Sequence, residues 1–224
     1  MPVISIPINR KNKEPQFINI LQSFIPKSGG TSIINYFQST GCKIYFGNYN
    51  NYLAAPDVNI LKCPSQHFHY PMLENIFNME SFNYSFAIVR NPIARMKSDY
   101  VWAQREALQA GKAVSFDAFV KFVFDKYASN SFMNDNHIRP QHEFVGPGIK
   151  KIFKFEEGLN SIVQELFKEV KLLVPAPVDI KKSNASEGYL PGGLNSSTIE
   201  MTPETKGMIL KFYEKDFESF SYDV

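Results

Sequence analysis

Cysteine is scarce in this chain. Cys42 and Cys63 are the two thiols among 224 residues, too few for a disulfide framework, and no CxxC or paired Cys/His spacing offers a zinc site. That usage fits a reducing compartment, and the chain reads as cytoplasmic. A dominant charge is also missing: 24 Lys and Arg stand against 22 Asp and Glu, a net charge of +2. No broad field would draw a nucleic acid, so any anion must be held by a local cluster. Apolar runs such as LLVPAPV, from Leu172 to Val178, fall far short of the roughly 20 residues of a membrane span. The start, MPVISIPINRKNK, lacks the basic-then-apolar order of a signal peptide. The chain therefore does not read as an integral membrane protein. A GxxxxGK[ST] motif, a DxD pair and a His/carboxylate ligand cluster are likewise missing, which counts against an ordinary ATPase and against a bound metal.

What is present is a hydrophobic content of 44%, enough to bury one substantial core. Residues 1–18 carry Pro2, Pro7 and Pro15 and read as an arm over the surface of a single domain spanning 19–224. Gln22 to Ile25 leans towards strand, and Thr31 to Phe37 places Ile33, Ile34 and Phe37 at helical spacing. Lys43 to Phe46 is a second strand candidate. Ser85 to Val89 is a buried strand stopped by Arg90-Asn91-Pro92, after which Asn91 caps a helix running towards Gln109. Phe116 to Tyr127 fits a further helix, Lys151 to Phe155 a strand, and Glu156 to Val170 a helix. Thr202-Pro203-Glu204 opens a last helix through Tyr213. This alternation implies an α/β fold with a central parallel sheet flanked by helices.

Four segments carry chemistry. In FIPKSGGTSI, residues 24–33, a strand delivers a lysine and two glycines to a helix start. Pro26, Lys27, Ser28, Gly29, Gly30, Thr31 and Ser32 would cradle an anion with backbone N–H groups, hydroxyls and one mobile charge. In VRNPIARMKSDY, residues 89–100, Arg90 ends a strand while Arg95 and Ser98 lie three apart on one helical face, so a phosphate could be gripped from both elements. In CPSQHFHYPML, residues 63–73, an extended chain would point His67 and His69 to the same side, and histidine is a natural base for a hydroxyl. In NDNHIRPQHEFV, residues 134–145, His137, Arg139, Gln141 and His142 form a polar, cationic cluster suited to an acidic or polyhydroxylated acceptor.

PKSGGTS resembles the 5′-phosphosulfate loop of sulfotransferases. VRNPIARMKSDY resembles their 3′-phosphate motif, R-[DN]-P-x-x-R-x-x-S-x-Y, with Arg90, Pro92, Arg95, Ser98 and Tyr100 in place and Asn91 where aspartate is more usual. Over most of residues 22–222 the chain is similar to the family-2 carbohydrate sulfotransferases, including the heparan and dermatan uronyl 2-O-sulfotransferases. The resemblance implies a P-loop-like three-layer sandwich. It also implies 3′-phosphoadenylyl sulfate (PAPS) as donor, PAP as product, no metal, and a hydroxylated, glycan-like acceptor. Within it, Lys27 would neutralise the leaving phosphate and the second histidine of His-x-His, His69, would be the base. The Ser/Asn/Gly-rich 181–200 segment resembles the loop that closes over the nucleotide, with Ser183, Asn184 and Ser186 as donor contacts. Two other readings share the architecture. A P-loop-type nucleotide kinase should show a Walker lysine and a magnesium carboxylate; a non-catalytic PAPS- or glycan-binding module would not need Lys27 or the histidines.

Overall fold

The computed structural model describes residues 1–8, 16–47, 62–172, 178–181 and 195–224. They fall into two compact units, the first formed by residues 1–89 and 143–181, the second by 90–142 and 182–224.

The first unit is built on a five-stranded sheet. Its strands are β1 (Val3–Ile8), β2 (Gln16–Ser23), β3 (Lys43–Tyr45), β4 (Tyr84–Val89) and β5 (Lys151–Lys154), in spatial order β3-β1-β2-β4-β5. The pairs β2/β4 and β4/β5 are parallel, with Ser23 opposite Ala87 and Val89 opposite Lys154, whereas β1 runs antiparallel to both neighbours. The expected parallel sheet is thus present but mixed.

The segment expected to be a surface arm contains β1, with Ile4 and Ile6 buried in the core. Pro7 is tolerated because β3 reaches only as far as Ser5, so the proline faces a single neighbouring strand, the condition of a sheet edge. β2 also begins earlier than expected, since its first half pairs with β1.

Alternation along the strands sets the two faces of this sheet. Ile4, Ile6, Ile20, Phe86, Ile88 and Phe153 share one face, covered by Ile33 and Phe37 of α1 (Gly30–Ser39) and by a later helix, Leu159–Glu169, through Ile162, Val163 and Leu166. The opposite face carries small polar residues. There Ser23 donates to the Phe144 carbonyl at 2.6 Å and Ser85 to the Gly148 carbonyl at 2.5 Å, so returning backbone packs closely on the sheet with its acceptors satisfied. A short helix, α2 (Tyr70–Ile76), joins this layer where the Gly148 N–H donates to the Tyr70 hydroxyl at 2.8 Å.

The second unit is helical in its described residues: α3 (Pro92–Ala103), α4 (Arg105–Gln109), α5 (Phe116–Tyr127), then, after α6 (the Leu159–Glu169 helix of the first unit), α7 (Pro203–Phe212) and α8 (Glu214–Ser219). Asn91, Ser115 and Thr202 each cap a helix through the side-chain oxygen. The helix expected to run on to Gln109 breaks at Gln104. Arg105 there folds back, donating to the Trp102 carbonyl at 2.8 Å with its guanidinium over the indole ring. Met96, Tyr100, Val101, Phe119, Val120, Ile209 and Tyr213 form the core of this unit. No helix among the described residues is long and apolar enough to cross a membrane.

Candidate active site

The anion loop leaves β2 through Phe24 and Ile25, both buried, and turns into α1 over six residues. Lys27 and Gly29 have φ of 66° and 83°, while Ser28 between them keeps a negative φ. Such alternation turns successive N–H groups towards one side and makes an anion-binding concavity. The Ser28 hydroxyl is buried and donates to the Ile25 carbonyl at 2.6 Å, so its side chain braces the loop and only its backbone is left to meet a ligand. Pro26 and Ser32 are also buried; Lys27 and Thr31 are half-buried. No acidic residue occupies the first turn of α1, so nothing there competes with an anion for the helix's positive end. A side chain at either glycine would force its neighbours to shift. A Cβ on Gly30 would lie 2.5 Å from the Phe24 ring, and one on Gly29 would lie 2.9 Å from both Leu159 and Phe155.

The histidine segment is not extended throughout. Ser65–His67 forms a 3-10 turn, and His69 is the residue before the first turn of α2. His67 is buried, its ring 5.5 Å from Phe24 and its Nε2 3.2 Å from Gln66 Nε2. His69 is half-buried. The two histidines therefore do not share one open side, and the more accessible is His69. The Phe24 ring meets both Gly30 and His67, which brings the loop and the histidine segment together within the first unit.

In the second unit Arg90 precedes the α3 cap, and Asn91 Oδ1 accepts from the Ile93 and Ala94 N–H groups at 3.0 and 3.2 Å. Arg90 and Ser98 are half-buried. Arg95, expected beside them on an anion, is only 1% exposed. Its guanidinium donates to the carbonyls of His137 at 2.8 Å and Arg139 at 3.1 Å and lies over the Tyr213 ring, so it braces that segment. Burial lowers the Lys97 ammonium from the usual lysine range and raises the Tyr213 phenol well above its own, so Tyr213 keeps its proton and donates it to the Ile138 carbonyl at 2.8 Å.

The expected acceptor cluster is also turned inward. Arg139 is buried and bonds Asn136 Oδ1 and the Ser131 carbonyl; Gln141 is fully buried. His137 Nδ1 lies 2.5 Å from the buried Asp99 carboxylate, and His142 Nδ1 lies 2.7 Å from the fully buried Asp216. Three consecutive residues with positive φ, Asn134 to Asn136, turn the chain into this segment. Of the four, His142 keeps the larger exposed fraction.

A profile of the sulfotransferase family matches residues 15–223, nearly the whole chain. The chain belongs to the sulfotransferase family. No curated protein and no solved structure matches it significantly. The sulfotransferase thus combines a strand-loop-helix cradle with an Arg90–Ser98 stretch on a second strand-to-helix junction. Ser183, Asn184 and Ser186 lie outside the described residues. Sequence reasoning missed Phe24, Asp99, Tyr213 and Asp216. Asp99 and Asp216 sit in DYVW and EKDFES, which read as ordinary helical sequence, and only their burial against histidines sets them apart. Among the described residues no group of three or more His, Cys, Asp and Glu is arranged to hold a metal ion.

Proposed function

We propose that this sulfotransferase moves a sulfuryl group from PAPS to a hydroxyl of a carbohydrate-like acceptor, with His69 as general base. The observation that carries the reading is the Phe24 ring, which touches Gly30 of the anion loop and His67 of the histidine segment. The anion loop and the histidine segment that carries His69 are thereby packed together. PAPS supplies an activated sulfuryl group on a phosphate leaving group. The backbone N–H groups of residues 28–31 and the Lys27 ammonium stabilise the charge that builds on that phosphate as its bond to sulfur breaks. His69 takes the acceptor proton as the new oxygen–sulfur bond forms, and PAP leaves. Arg90 and Ser98 bind the 3′-phosphate, and His67 orients the segment from its buried place. The glycan-like nature of the acceptor rests on the family resemblance.

The test is turnover of PAPS by the full chain against a panel of glycan, lipid and phenolic hydroxyl compounds, read as PAP release together with a sulfated product. His69→Ala should lose roughly 10²- to 10⁴-fold in turnover with donor affinity retained, the scale of a positioned base. His67→Ala should lose less. Activity of the wild type should fall on the acid side, because imidazolium cannot accept a proton. Full activity of His69→Ala would remove it from the chemistry.

A further inference from the structure

We propose that Gln141, seated on Asp216, is a positioning residue that sets Arg90 for recognition of a nucleotide 3′-phosphate; this rests on the function proposed above. The Arg90 N–H donates to Gln141 Oε1 at 2.9 Å, and Gln141 Nε2 donates to the Arg90 carbonyl at 2.8 Å. The side-chain amide thus satisfies both backbone groups of one residue, as a neighbouring strand would, just where β4 has ended. The orientation of that amide is forced, since a backbone N–H can only donate and a carbonyl can only accept. Held at both ends, Arg90 has its peptide planes fixed, and with them the direction in which its side chain leaves the backbone.

The clamp is itself anchored. The Gln141 N–H donates to Asp216 Oδ2 at 2.8 Å and the His142 N–H to Asp216 Oδ1 at 2.9 Å, with His142 Nδ1 on the same oxygen at 2.7 Å. Gln141 and Asp216 are both 0% exposed, so two backbone N–H groups and the His142 ring nitrogen meet the carboxylate in place of water. Arg95 and Tyr213 take the three carbonyls from His137 to Arg139 and prevent the segment from sliding. A solvated acceptor-binding loop has no use for this arrangement, whereas an arginine that must meet a doubly charged phosphate needs tight placement.

The experiment is calorimetric titration of the full chain with PAP and with AMP, which differ by the 3′-phosphate. The wild type should prefer PAP strongly. Gln141→Met keeps the length and removes both hydrogen bonds; loss of a charge-assisted phosphate contact, about 1.5–3 kcal/mol, should lower PAP affinity about tenfold or more. AMP affinity should stay within about twofold, because AMP never met Arg90. Gln141→Glu retains the acceptor for the Arg90 N–H and should fall between. Ser115→Ala, which removes a helix cap elsewhere in the same unit, controls for destabilisation and should leave the PAP/AMP ratio unchanged. A ratio in either Gln141 variant equal to that of the wild type overturns the inference. A wild type without preference for PAP would instead sink the 3′-phosphate reading, and this inference with it.

Discussion

Lys27 adopts a left-handed backbone, φ 66°, that costs an L-residue with a Cβ roughly 1–2 kcal/mol. Glycine would sit there without strain, yet the loop keeps a lysine. Strain of this kind persists where the surrounding structure over-determines it, and it concentrates at sites of chemistry. Lys27→Gly separates the two roles of the residue, since it relaxes the backbone and deletes the charge. Its stability should hold within about 1 kcal/mol of the wild type, because relief of strain offsets the added chain entropy. Its turnover should fall about 10²- to 10³-fold with PAP binding largely kept, the usual loss for one charge-stabilising donor. Chemical denaturation and PAPS turnover on the same preparation would check both. A variant as active as the wild type would take Lys27 out of the mechanism.

Helix starts were legible where capping is local chemistry: Asn91-Pro92 and Thr202-Pro203 each announce a helix in two or three residues, and the structure places the caps there. The buried run from Ser85 to Val89 was legible for the same reason. β1 was not, because its membership of the sheet depends on β2 and β3 rather than on its own proline-broken sequence. At the site, the glycine loop could be read from spacing alone, but Arg95 could not, since facing a ligand or facing the carbonyls of His137 and Arg139 is decided by a segment more than forty residues away. Asp117 shows how such distant pairing becomes measurable. Hydrogen bonds from Thr205 and from Thr202 hold this half-buried carboxyl below its usual pKa, tying the start of α5 to the cap of α7. A depressed folded pKa means stability fully present above the unfolded value, about 3.9, and lost as pH falls through the folded one. Urea midpoints of Asp117→Asn and wild type should therefore differ near neutral pH and converge in acid. A gap that stays constant with pH would show that the carboxylate contributes nothing through its charge.

At the scale of the whole molecule, the family match runs through both compact units, and the residues proposed for the donor are divided between them. Lys27, the glycines and the histidines belong to the sheet unit, and Arg90 and Ser98 to the helical one. Donor binding is measured on the intact chain. A ligand that binds only the folded state stabilises it by about 2.7 kcal/mol when present at one hundred times its Kd. For a chain of this size each kcal/mol moves the thermal midpoint by roughly 2–4 °C, so saturating PAP should raise it by about 5–10 °C. Arg90→Ala should abolish most of that gain at the same PAP concentration, because weaker binding leaves less ligand bound at the midpoint. The loss should be recovered by adding more PAP, as mass action requires. Calorimetric scans across a PAP series measure both effects. If PAP moved the wild-type midpoint no more than AMP does, the nucleotide would be recognised without its 3′-phosphate, and the role given to Arg90 and Ser98 would have to be withdrawn.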